Sequence, residues 1–278
     1  MAVKILRDVF GSLDQRFLSI LNDFLEKGQI DVYPKIGKTG GAYCSGNINA
    51  PTFVLLNYTE TMGEVMTFAH EMGHAIHTEL SKSQTPLYEG YSTSTAEVAS
   101  TLFESLVFDV VFEKLSEQKK IIALHKKIND DINTVFRQIA CFNFENDLHK
   151  TIRERGGMSK VEICSLLNKH MSAYLGPIVS MKEADGNMFV SWSHIRRFFY
   201  VYSYAFGQLI SKSLYAKYKE DKNYLSEIKK FLEAGGSDSP ENIFKSIGID
   251  VTNPDFWENS LKKIDEDISK LEKLTQNV

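Results

Sequence analysis

The chain has 278 residues, of which 43% are hydrophobic and 24% charged, ordinary globular usage that excludes wholesale disorder. Its 32 basic and 36 acidic residues leave a formal charge of −4, which gives no pull toward nucleic acid or an anionic membrane. No apolar run reaches the ~18–20 residues that span a bilayer, so no membrane partner is expected. The opening MAVKILRDVFGSLDQRF mixes charge into its apolar pattern, unlike a secretory leader. Cys44, Cys141 and Cys164 are far apart and outside any CxxC, so reduced thiols in the cytoplasm are expected, without a disulfide framework or a zinc knuckle.

Apolar residues at helical spacing from Val3 to Leu25 predict one helix over 3–27, stopped by Gly28. A glycine-rich stretch with Gly37, Gly40, Gly41 and Gly46 reads as loop, with a short strand at 42–45. TFVLLNY, Thr52–Tyr58, is β-branched and apolar after Pro51 and reads as a strand. From there on the pattern is helical: 61–81, 94–115, 117–155, 158–174, 195–219, 222–233, a short helix from Ser239-Pro240, and 253 to 274. Gly156-Gly157 and Gly235-Gly236 are the clearest breaks. The expected fold class is mainly α with a small β element near residues 40–58.

Residues 70–74 read His70-Glu71-Met72-Gly73-His74. On a helix, positions i and i+4 share a face, so both imidazoles can reach one ion. Glu71 can then sit beside that ion and take a proton from water, the general-base role in zinc hydrolysis. The surrounding GEVMTFAHEMGHAIHTEL is otherwise apolar, and a buried ionisable cluster is costly unless something compensates it. Gly73 costs a helix about 1 kcal/mol relative to Ala, which points to close approach of another backbone.

A catalytic zinc needs a third protein ligand and an open position. Glu97 lies on the next helix, where a helical hairpin would return it to the motif, but Ser94-Thr95-Ala96-Glu97 also fits a capping box. Glu104, two turns further on the same face, suits a hydrogen bond to a liganding imidazole. His77 continues the His face, either toward the site or as an ordinary polar residue. A second constellation, WSHIRRFFYVYSYAFGQL, gathers His194, Tyr200, Tyr202 and Tyr204 around two arginines. An aromatic stripe of this kind is ordinary core, yet a phenol or imidazole opposite a metal would stabilise an oxyanion.

HEMGHAIH followed by AEVASTLFESL resembles the oligoendopeptidase F branch of the thimet-oligopeptidase-like zinc metallopeptidases. So do IDVYPKIGKTGGAYCSG and VLLNY upstream, and WSHIRRFFYVYSYAFGQL and SPENIFKSIGIDVTNPDFW downstream. The resemblance implies a zincin-like helical catalytic domain over 1–278, without the N-terminal lobe of that family. It implies one Zn2+ per chain on His70, His74 and Glu97, with Glu71 as general base. His194 and Tyr202 match positions that contact substrate and the tetrahedral intermediate, and Tyr200 matches less closely. The segment around Gly41 and Ala42 matches a cleft wall that pairs with extended peptide. Short peptides are the implied partners, with a separate N-terminal lobe or a second copy of the chain to complete the channel. The alternative is a zinc-binding but inactive half of a peptidase. An aminopeptidase would need an acidic motif for a free N-terminus, and none precedes residue 70.

Overall fold

Asp14 divides the first apolar stretch into two helices. In the computed structural model, which describes residues 1–276, α1 (Ala2–Leu13) ends at Asp14, whose backbone is extended. The Asp14 carboxylate accepts from the Arg16 amide and opens α2 (Gln15–Glu26). The single helix expected over 3–27 is therefore two, because a capping side chain competes with continuation of the helix. The apolar stripe hides the break: Leu6, Val9 and Phe10 of α1 and Phe17, Leu21 and Phe24 of α2 are all buried. Gly28 does end the segment, in a left-handed conformation at φ 66°.

A three-stranded sheet follows in the order β1-β3-β2. β1 (Ile30–Asp31) runs parallel to β3 (Ala50–Leu55), with Ile30 opposite Val54. β2 (Tyr43–Asn47) is antiparallel on the other side of β3 and forms an edge, with Cys44 opposite Val54. Pairing outlasts the ladder, since the Leu56 and Tyr58 amides donate to the Asp31 and Val32 carbonyls.

The rest is helical: α3 (Met62–Ser81), α4 (Thr93–Glu113), α5 (Glu117–Ile132), α6 (Gln138–Arg155) and α7 (Lys160–Leu175). Then come α8 (Tyr202–Glu220), α9 (Leu225–Ala234), α10 (Pro240–Ser246) and α11 (Pro254–Thr275). Thr61 and Glu64 close a reciprocal capping box on α3. A π-helical turn at Asn133–Arg137 joins α5 to α6 without a break, as the pattern over 117–155 implied. α8 starts at Tyr202, not near 195. Residues Ser193–Arg197 form a 3-10 turn, and Phe198 and Phe199 take positive φ of 42° and 57°, which no helix accommodates. The Phe199 amide donates instead to Glu145 Oε1 at 2.8 Å.

α4 is the centre of the core, packed between α3 and α8 with α1 across it. Ala99, Leu102 and Phe103 are fully enclosed, and Phe103 meets Phe10 and Phe17 edge-on at ring separations of 5.4 and 5.2 Å. A second apolar cluster ties α6 and α7 to the segment around Trp192.

His77 is trapped in the main core. It is 1% exposed and stacked flat on Tyr91 at 3.7 Å, and neither ring nitrogen has a hydrogen-bond partner among the described residues. Burial, reinforced by His74, pushes its pKa down to about 3. The ring is thus neutral in the folded chain and protonated in the unfolded one below about 6.5. Its contribution is fully present above that value and is lost as pH falls toward 3, at ~1.4 kcal/mol per pH unit. His77→Phe keeps the stack and removes the titration. Urea melts of both metal-free chains between pH 6 and 4 should show the variant gaining on the parent with that slope; a pH-independent difference would contradict it.

Candidate metal centre and cleft

His70 and His74 project from one face of α3, one turn apart, with ring centroids 4.9 Å from each other. Gly73 between them lets α4 come close: a Cβ there would lie 2.8 Å from Ser100 Cα and 3.1 Å from the Ala99 carbonyl oxygen. At this crossing Glu97 faces the histidines. Its Oε2 is 3.5 Å from His70 Nε2 and 3.8 Å from His74 Nε2. The capping box on Ser94 does not form. Ser92 caps α4 by accepting from the Thr95 amide, which leaves the Glu97 carboxylate free to turn inward. Glu104 Oε2 lies 3.3 Å from His70 Nδ1, so it orients that imidazole with Nε2 toward Glu97.

One donor atom from each of His70, His74 and Glu97 lies within 4.8 Å of the other two. Tetrahedral ligands at ~2.0–2.2 Å from zinc sit roughly 3.4 Å apart, so the donor set and its spacing fit a divalent ion. Two carboxylates, Glu97 and Glu104, flank His70 at 3.5 and 3.3 Å. Burial works against the Glu97 carboxylate, but hydrogen bonding from His70 and the nearby His74, with Ser100, hold it below the ordinary range. Burial also opposes charge on His70, but Glu104 and Glu97 outweigh it and raise its pKa to about 10. His74 is pushed down to about 4 by burial and by His70. Glu71 is 6% exposed and its Oε2 has no hydrogen-bond partner among the described residues. Burial raises its carboxyl to about 7, with His70 opposing and Glu97 assisting.

The cluster opens into a cavity of about 1800 Å³. Gly41 and Ala42, just before β2, and Cys44 within it line the cavity, as do Arg197, Tyr200 and Tyr204. His194 reaches this wall through Tyr204, with its Nε2 3.0 Å from the Tyr204 hydroxyl. Tyr202 does not reach it. Its ring packs near Phe142 at 6.1 Å and is 43% exposed, outside the cavity lining. Residues two apart on a helix point nearly opposite ways, so with Tyr204 facing in, Tyr202 faces out. Tyr204 and Gln208, four apart and both lining the cavity, carry the signal that locates this face in the sequence.

Residues 12–263 match the profile of Peptidase family M3. The chain belongs to that family. It is 30% identical over 272 residues to oligopeptidase PepF of Bacillus subtilis, covering 96% of this chain and 40% of that protein. It is 28% identical over 284 residues to the chromosomal oligoendopeptidase F of Lactococcus lactis subsp. cremoris, covering 99% and 46%. A Chlamydophila abortus crystal structure superposes with a TM-score of 0.84 at 29% identity, over 98% of this chain and 47% of that one. The M3 chain therefore spans less than half the length of these relatives. The helical architecture with a small sheet is the one the motifs implied. Among the described residues no helix is long and apolar enough to cross a membrane.

α8 presses on α4 at the cluster itself. A Cβ on Gly207 would lie 2.5 Å from Glu97 Cβ and 3.0 Å from its carbonyl carbon. Gly207→Ala should therefore cost about 1–3 kcal/mol of stability and weaken divalent-metal binding by displacing Glu97. Gly186→Ala, which crowds the Cys164 backbone on α7, outside the cavity lining, serves as the control. It should destabilise without changing the metal titration; equal metal affinity in both variants would refute the coupling.

Proposed function

We propose that this chain is the catalytic domain, over 1–278, of a cytoplasmic zinc endopeptidase that hydrolyses short peptides. Glu71 carries the reading: a buried carboxylate with an unpartnered oxygen, beside a two-histidine, one-glutamate cluster in a large cavity. His70, His74 and Glu97 would hold the zinc, one per chain. Zinc supplies a Lewis acid for water and for the peptide carbonyl, and a positive charge that keeps Glu71 ionised. Glu71 accepts the proton of the attacking water and passes it to the leaving amine. Extended peptide pairs with the backbone at Gly41 and Ala42, which leads into the edge strand β2.

Negative charge on the carbonyl oxygen is met by the aromatic wall. The role expected of Tyr202 is assigned to Tyr204, which lines the cavity. Burial, with Tyr200 and Glu97 nearby, raises the Tyr204 phenol above its usual range, so it remains a donor. His194 is pushed toward neutrality by burial and by Arg197. In the His194 tautomer that carries its proton on Nε2, the imidazole donates to the Tyr204 oxygen 3.0 Å away and the phenolic proton is free to turn into the cavity. Tyr200 stacks on His194 with ring centroids 5.7 Å apart and helps to hold it.

The short span relative to its relatives favours a second reading, in which the chain binds zinc but requires further polypeptide, or a second copy, to cut. Zinc content and cleavage of an internally quenched peptide separate the two, since metal without turnover supports the second.

Glu71→Gln should keep stoichiometric zinc and lose 10²–10⁴-fold or more in turnover, on the order of a general base's contribution. Activity within a few-fold of the parent would remove Glu71 from the role. Tyr204→Phe should lower kcat by roughly 10²–10³ with KM little changed, as for a donor that acts in the transition state. Tyr202→Phe should stay within a few-fold, and the reverse ranking would return the role to Tyr202.

A further inference from the structure

Beyond the metal cluster the cavity continues as an arm between α4 and α5. Phe108, Val111 and Leu115 follow Glu104 along one wall. The other wall is α5, with Lys119, Ile122, Ala123 and Lys126 spread over its first ten residues. Leu115 lies 11 residues past Glu104, so the arm runs about 16 Å at 1.5 Å per residue, room for about five extended residues. Ile122 is 69% exposed on this wall, a large aliphatic surface with nothing packed over it.

Lys119 and Lys126 are two turns apart on one face of α5. Neither makes a hydrogen bond or an ion pair with any described residue. Their chain neighbours do: Lys120 pairs with Glu117 at 3.0 Å, and Lys127 with Asp131 and Asp267. Acidic partners are thus available on this helix, yet these two cavity-lining ammonium groups are left without them. Asp130 feels the charge of Lys126 without pairing to it. Lys126 leans over the start of α3, where a Cβ on Gly63 would lie 2.6 Å from its Nζ. Gly63 precedes His70 by 7 residues, about 10 Å along the helix.

We propose that this arm receives the C-terminal end of the peptide, with Lys126 and Lys119 pairing its terminal carboxylate at two successive distances from the metal cluster. The inference rests on the peptidase reading and names what selects the substrate. Apolar walls take the side chains that follow the cut bond, and the two point charges take the chain end. An ammonium on a flexible stem binds without the fixed bidentate geometry of arginine, so it tolerates chain ends of different length. Peptides that end within about five residues of the cut are therefore favoured over longer or amidated ones.

The zinc-loaded chain carrying Glu71→Gln allows binding to be read apart from cleavage. The probes are N-terminally fluorescein-labelled heptapeptides of one sequence: the free acid, the C-terminal amide, and the amide with glutamate as its last residue. Fluorescence anisotropy at low salt should show the free acid binding about fivefold tighter than the plain amide, an exposed ion pair's worth. Most of that difference should vanish at 0.5 M salt. Adding Lys119→Gln and Lys126→Gln together should abolish the difference and leave the amide's affinity unchanged. Equal affinities, a difference that survives the double substitution, or no binding of any peptide would overturn the proposal. Binding of the glutamate amide as tight as the free acid would also overturn it, by assigning the lysines to an acidic side chain. Cleavage by the unsubstituted chain tests the peptidase reading separately, since end-selective binding without turnover defeats that reading alone.

Discussion

The position of α4 between two glycines governs the rest of the site. α3 approaches through Gly73, whose Cα side faces the backbone at Ser100, and α8 approaches through Gly207, which faces Glu97. Both contacts fall within one turn of α4. Each glycine costs its helix about 1 kcal/mol relative to alanine, and neither is needed for a turn. What they permit is backbone proximity closer than the usual 8–10 Å helix separation allows with side chains between. That proximity places a glutamate of α4 against two histidines of α3 and lets α8 lay an aromatic face beside them.

Close packing then creates an electrostatic problem. His70, Glu71, His74 and Glu97 are crowded together and largely withdrawn from the surface, and buried charges are costly unless paired. Part of the problem is solved within the protein: Glu104 steadies His70, and Ser100 donates to Glu97. His74 and Glu71 are left over, one driven toward its neutral form and one lacking a partner for an oxygen. A cation among the three donors would settle the balance for all four at once. The arrangement is weak as a stability device and well suited to holding an ion, which is why the cluster reads as chemistry and not as core.

The parts legible in the sequence are those set by local spacing. Two histidines four apart on an apolar helix and a glycine between them follow from helix geometry, whereas Glu97 stands in the sequence between a hairpin-returned ligand and a capping-box residue, and only the resemblance assigns it; the cap at Ser92 turns it inward. The site residues that spacing alone leaves open are set by where a helix begins. The aromatic run around Tyr202 looks helical from residue 195, and on that reading any of its tyrosines can face the cleft. The positive φ angles at Phe198 and Phe199 delay α8 and fix its phase, and that phase puts Tyr204 inward and Tyr202 outward. The break at Asp14 is hidden for a related reason, because the buried stripe continues on both sides of the cap. β1 has only two residues, too few for any period to show.

The phase of α8 is secured from a second side. Asp131, 1% exposed at the end of α5, accepts from Gln208 and from Lys212, the latter at 2.8 Å. Lys127 pairs with it at 3.5 Å and reaches Asp267 of α11. Gln208 is the neighbour of Gly207 and lies one turn after Tyr204, so the same turn of α8 is clamped to α4 by close packing and to α5 by hydrogen bonds. A buried ionic hub adds little net stability compared with apolar packing of the same volume. Apolar packing, however, tolerates a helix sliding or rotating by a fraction of a turn, whereas a carboxylate with three fixed donors does not. A small rotation of α8 would carry the Tyr204 hydroxyl away from the cavity and loosen the wall behind Glu97. The hub therefore does for the aromatic wall what Glu104 does for His70, fixing direction more than adding stability.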